Sequence, residues 1–151
     1  MSESSKSRNN STVGISQTQL SADIRQGDIC LVSDVELNPT IKFPSDNLPN
    51  NTRTYHGKRY VLILQSNKSN EDKKLKSVLT VPLSHSGGNT SYTVVISKSF
   101  FDAVDSDSVA LLNIAQSIHK TLIGDKIGHV PPNCQTFQDI RAIYLKLIGI
   151  I

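Results

Sequence analysis

With 151 residues, 37% of them hydrophobic and 19% charged, the chain is long enough for one domain with a genuine core plus a tail. The absence of tryptophan and an aromatic content of 5% argue against a surface built from many stacking platforms, and a net charge of +3 permits a polyanionic partner without demanding one. No apolar run approaches the roughly 20 residues of a membrane-spanning helix, and the N-terminus lacks the apolar core of a secretory leader, so a cytoplasmic protein with no membrane partner is expected.

Residues 1–22 are rich in Ser, Asn, Gln and Thr and hold few large apolar side chains. Such a segment cannot bury enough surface to offset its ordering entropy, which predicts a disordered N-terminal tail ahead of one folded domain over 23–151. Gly27–Val35 (GDICLVSDV) reads as the opening strand. Residues 36–58 carry Pro39, Pro44 and Pro49 among several asparagines, lose all periodicity and read as a long loop. Loops of that length in compact domains serve as lids or stay disordered, and an ending at Arg59 favours a lid. Tyr60–Gln65 is the next strand, Ser66–Lys76 a solvated hairpin tip of mixed charge, and Ser77–Leu83 a third strand. After a flexible turn at 86–89, Tyr92–Ser97 alternates well enough for a fourth. Lys98–Asp107 holds a short helical turn around Phe100 and Phe101, 109–119 makes two short strands or one bent one, and 125–130 is a last extended piece. Pro131-Pro132-Asn133 then starts a helix, with Asn133 as its cap and Phe137, Ile140, Tyr144 and Leu147 or Ile148 at helical spacing. Short strands in series closed by one helix give a mainly β (α+β) fold, either a small SH3-like barrel or a strongly curved antiparallel sheet with a C-terminal helix.

Two stretches stand out chemically. GKRYVLIL (57–64) brings an arginine out of a loop onto a strand, and VLTVPLSHS (78–86) ends in a hydroxyl-rich turn. A permanently charged fork donor and a hydroxyl cluster on paired strands suit the binding of a phosphate. A lone arginine is usually a surface ion-pair partner, but the place of Arg59 between a long loop and a core strand raises its functional weight. His56 and His85 each lie within a few residues of this pair, and imidazole exchanges protons near neutral pH; an exposed loop histidine is the plain alternative for each. His119 reads as a surface or interface residue and His129 as the end of a strand. No histidine pair has metal-ligand spacing, no G-x-S-x-G frames Ser84, and no G-K-[ST] follows Gly87-Gly88, so a metal site, an acyl-transfer serine and a P-loop are not expected. Cys30 and Cys134 read as reduced, partly buried thiols.

Taken in order, five segments resemble the MazF/PemK (Kid-like) toxins of bacterial type II toxin–antitoxin pairs. They are IRQGDICLVSDVELNPT, GKRYVLIL, VPLSHSGGN, the block DSVALLNIAQSIHK with DKIGHV, and FQDIRAIYLKLIG, which together cover residues 24–148. The resemblance implies a curved antiparallel sheet, a homodimer and a cognate antitoxin as partner. It also implies an endoribonuclease that needs no metal or other cofactor and cuts single-stranded RNA to 2′,3′-cyclic phosphate and 5′-hydroxyl ends. Residue by residue, it implies Arg59 as the catalytic arginine and Ser84 as the hydroxyl that binds the phosphate or orients the 2′-hydroxyl. Asn38, Thr40, Lys58, Ser86, Gln116 and Ser117 are the expected RNA contacts. The chain departs from the family pattern in carrying Tyr60 where a proline follows the arginine, in lacking the acidic segment of the first long loop, and in holding Asn113 and Gln116 where some members carry acidic and basic residues. The general base therefore does not carry over, and His56 or His85 is expected to fill that role. Two other functions go with the same architecture: a non-catalytic toxin that binds a protein target, as CcdB-type gyrase poisons do, and a degenerate member that only binds its antitoxin or RNA.

Overall fold

Gly27 sets where the sheet begins. Its φ of 93° is a left-handed conformation, and a Cβ there would collide with the Val130 carbonyl oxygen, so the position is restricted to glycine. The Gly27 amide donates to the Ile63 carbonyl and the Val130 amide donates to the Gly27 carbonyl, each at 2.8 Å, which fixes both neighbours of the first strand at once. The computed structural model describes residues 23–33, 58–85 and 90–150. The predicted tail over 1–22, nearly all of the predicted lid and the turn at 86–89 lie outside the described residues.

Seven strands form one antiparallel sheet among the described residues: β1 (Asp28–Ser33), β2 (Lys58–Ile63), β3 (Ser77–Ser84), β4 (Thr93–Ile96), β5 (Ser108–Leu111), β6 (Gln116–His119) and β7 (Lys126–His129). The order is β4-β5-β3-β2-β1-β7, with β6 also on β3. β3 therefore serves two strands on one edge. Its first half pairs with β6, from Ser77↔His119 to Thr80↔Gln116, and its end pairs with β5 through Leu83↔Ala110 and Ser84↔Val109. A 3-10 turn at Leu112–Ile114 carries the chain from one of these partners to the other. A short helix α1 (Asn67–Asn70) lies between β2 and β3, and helix α2 (Gln135–Leu147) closes the chain.

Strand alternation divides the core in two. Leu62, Val81, Leu83 and Ile29 point to one face, where Phe137 and Ile140 of α2 cover them. Val61, Ile63, Val32, Cys30 and Val78 point to the other, where they meet Ile24, Ile118 and Ile123. Each such side chain contributes about 1.5–3 kcal/mol by leaving water. A bridge between Phe101 and Gly128, with the Asp102 amide on the Ile127 carbonyl at 2.8 Å, lays the segment after β4 against β7 and curls the sheet towards closure. The outcome is the curved antiparallel sheet with a C-terminal helix that the sequence predicts.

Three local expectations are corrected and one alternative is decided. β2 starts at Lys58, two residues earlier than predicted, because Ser33 of β1 pairs with Lys58. Helix α2 starts at Gln135, with Cys134 in the cap position and no side-chain cap bond, so Asn133 is not the cap. Ile148 is 55% exposed, and Leu147 is the residue that packs on the core at that end. The tip at 66–76 is also more than a solvated turn. Ser66 caps α1, Asn70 is fully buried, and the Lys120 ammonium, 2% exposed, donates to the Asn70 and Asp72 carbonyls at 3.1 Å each.

Candidate active site at the open end of the β2–β3 hairpin

Arg59 stands at the start of β2, across from Val32 of β1, and is half-buried. Ser84 ends β3, across from Val109 of β5, and is also half-buried. The β2–β3 ladder runs from Ile63↔Thr80 to Tyr60↔Leu83, and carrying it one pair further sets Arg59 opposite Ser84. The Leu64 amide on the Leu79 carbonyl at 3.0 Å marks the hydrogen-bonded pairs of this ladder, which then recur at Leu62/Val81 and Tyr60/Leu83. Continued by the same alternation, Arg59 and Ser84 take the narrow, non-hydrogen-bonded position of the ladder, the class in which Cα atoms typically stand about 4.5 Å apart with side chains on one face. That face is the one shared with Val61 and Ile63, away from α2. A guanidinium and a hydroxyl side by side at a strand end can together donate to the non-bridging oxygens of one phosphate.

The remaining predicted residues divide. Gln116 lies across from Thr80, and its carbonyl accepts the buried Thr80 hydroxyl at 2.9 Å. It shares the alternation of Ile118 and so the face of Arg59 and Ser84. Ser117 is exposed and lies across from Leu79, which packs on the α2 side, so it belongs to the opposite face. His85 is exposed. Its ring meets Tyr60 edge-on with centroids 5.9 Å apart, and Nδ1 lies 3.3 Å from the Ser106 hydroxyl. Tyr60 packs on the α2 side and lies 6.0 Å from Phe101, so His85 leans to the face opposite Arg59. The Lys58 backbone is in β2. His56, Asn38, Thr40 and Ser86 lie outside the described residues.

Two polar centres escaped the sequence reading. Asp28 is buried, and its carboxylate accepts from His129 Nδ1 at 2.8 Å, Lys126 Nζ at 3.3 Å and the Arg25 amide at 3.1 Å. The other is the Lys120 ammonium beneath the hairpin tip. Cys30 lies close to the first of these; burial, reinforced by the Asp28 charge, pushes its thiol up to about 12, so it is not a nucleophile near neutral pH. Among the described residues no group of three or more His, Cys, Asp or Glu side chains converges in a way that would hold a metal ion.

A family model for the PemK-like, MazF-like toxin of type II toxin–antitoxin systems matches residues 43–143. No curated protein sequence matches the chain. Among solved structures, the chain is similar to an endoribonuclease from a mycobacterial species in complex with its cognate antitoxin, at 16% identity and a TM-score of 0.59, covering 85% of this chain and 97% of that one. It is also similar to a MazF toxin of Mycobacterium tuberculosis (17% identity, TM-score 0.54, 64% of this chain and 91% of that one). A third is the MazE–MazF structure from Deinococcus radiodurans (12% identity, TM-score 0.59, 85% and 97%). At these identities the likeness is one of fold.

Proposed function

This chain belongs to the PemK-like, MazF-like toxin family of type II toxin–antitoxin systems, and from that premise we propose that it is a metal-independent endoribonuclease of single-stranded RNA, active as a homodimer and neutralised by a cognate antitoxin. The observation that supports the proposal is the register of the β2–β3 ladder, whose last pair, Tyr60↔Leu83, leaves Arg59 and Ser84 as the next residues at the open end of one hairpin. In the reaction, the ribose 2′-oxygen attacks the adjacent phosphorus as a base removes its proton. The bond from phosphorus to the 5′-oxygen breaks, and that oxygen leaves with a proton as a 5′-hydroxyl, so the other product is a 2′,3′-cyclic phosphate. Negative charge grows on the non-bridging oxygens in the transition state. Arg59 offsets it with a planar set of charged donors, and Ser84 adds a neutral donor from the neighbouring strand. Of the two histidines that flank the pair in sequence, His85 leans away from Arg59, so the base is assigned to His56. Gln116, on the face of Arg59 and Ser84, extends the RNA contact beside the phosphate.

The non-cleaving alternative draws support from the lean of the His85 ring towards Tyr60 and from Asn113 and Gln116 in the later block. One experiment separates the two. Purified protein is incubated with a long single-stranded RNA in the presence of a chelator, with Arg59→Ala as control, and the new ends are mapped. Cyclic phosphate and 5′-hydroxyl ends made by the wild type but not by the variant support the nuclease. RNA left intact by both identifies a toxin that acts by binding.

A further inference from the structure

The far end of the same hairpin is built as carefully as the open end. Residues 66–76 carry Lys68, Lys73, Lys74 and Lys76, all exposed, and two acidic residues, Glu71 and Asp72. Both carboxylates are engaged locally. Glu71 accepts from Arg25 at 2.6 Å, and Asp72 Oδ1 accepts the Lys74 amide at 2.9 Å. The turn is held from three sides. The Gln26 amide donates to the Asn67 side chain at 2.7 Å, Gln65 and the buried Asn70 exchange hydrogen bonds of 3.0 Å, and Lys120 anchors the Asn70 and Asp72 carbonyls from below. Taking an ammonium group out of water costs several kcal/mol, and here the charge is used to fix a loop. A solvated turn needs no such brace, whereas a surface that must present charges in a set array gains from one, because less ordering is then left for the binding step.

We propose that the turn at 66–76 is a second RNA contact that grips the sugar–phosphate backbone through Lys68, Lys73, Lys74 and Lys76, several nucleotides from the bond cut at Arg59 and Ser84. From Arg59 to Gln65 a strand rises about 20 Å; both faces of β2 and β3 are buried, so the RNA reaches both ends by running over the elements that cover them, a path of several nucleotides. Flexible point charges without aromatic neighbours suit phosphates rather than bases, so the contact adds affinity without sequence preference. The inference rests on RNA being the substrate.

The test uses Arg59→Ala protein, so that binding is read without cleavage, with and without Lys68, Lys73, Lys74 and Lys76 all changed to Gln. Binding of a long single-stranded RNA and of a short oligonucleotide spanning only the cut is measured against salt. The expected result is a loss of about tenfold or more for the long RNA and no change for the short one. The slope of log affinity against log salt should fall by about 3 for the long RNA, since each phosphate contact on a single strand contributes about 0.7. In the Arg59-intact protein the same lysine changes should raise KM for the long RNA and leave cleavage of the short one unaltered. Equal affinity for long RNA with and without the lysines overturns the inference. So does a loss seen only with an acidic polypeptide such as polyglutamate, which would make the turn a protein-binding surface. If the lysine-dependent binding is found but the Arg59-intact protein cuts nothing, the nuclease assignment falls while the RNA contact stands.

Discussion

On the proposed mechanism a guanidinium and an alcohol would stabilise a pentavalent phosphate differently, so their removal should read differently. Ser84→Ala removes one neutral donor and is expected to lower kcat/KM on RNA by about 10²–10³, with Ser84→Thr retaining most activity. Arg59→Lys keeps the charge but loses the fork, and should remain severely impaired in the same assay. Cys30 gives a prediction of another kind. Its thiol is raised from 9.0 to about 12 by burial first and by Asp28 second, so the folded state holds the proton more tightly than the unfolded one. The stability this contributes is complete below pH about 9 and is lost as pH rises from about 9 towards 12. At pH 8 an alkylating reagent should label Cys134 and spare Cys30 until the protein unfolds, which mass spectrometry of the two cysteine peptides would show. The positions of Arg59 near the start of one strand and Ser84 at the end of another were legible because each borders a β-branched run. The Asp28–His129 pair and the seat of Lys120 were not, because their partners lie 101 and 50 residues away in the chain and no local pattern marks them.

Among the elements, β7 shows most clearly how a short strand is held. It is four residues long and its register with β1 shifts between Ile29 and Cys30, so backbone pairing alone holds it weakly. The Asp28 carboxylate ties it down at both His129 and Lys126. Asp28→Ala should therefore destabilise the fold by about 1–3 kcal/mol in denaturant titration. The effect stays moderate because the His129 and Lys126 side chains are 37% and 56% exposed and can return to water. Strand positions were readable from alternation, and the helix from Phe137, Ile140 and Leu147. Its exact start was not, because the N-cap makes no side-chain bond that a sequence signal could encode. The brace under the 66–76 turn was equally hidden: a run of lysines and asparagines reads as solvent-facing whether or not a buried ammonium holds it from below.

For the molecule as a whole, both hydrophobic clusters draw on β1, β2 and β3, one from each face of the same strands. Neither can come apart while the other stays. Loss of Cys30 protection, which reports on one cluster, and loss of the near-ultraviolet signal of Tyr60 and Tyr144, which reports on the other, should share one midpoint on heating. Short strands in series and the family resemblance both implied the curved sheet, but the strand order was not legible, because β6 returns to a strand some forty residues earlier and passes over its immediate predecessor. That return divides the edge of β3 into two berths, one ending at Thr80 and the other opening at Leu83. Pro82 stands in the gap. The ladder places its nitrogen away from β2, towards the point where β6 has finished and β5 has not begun. An imino acid, normally expelled from the middle of a sheet, thus stands between the last residue paired with β6 and the first paired with β5. The branch in the ladder and the proline within it make one design, and moving either by a single residue would leave the other stranded.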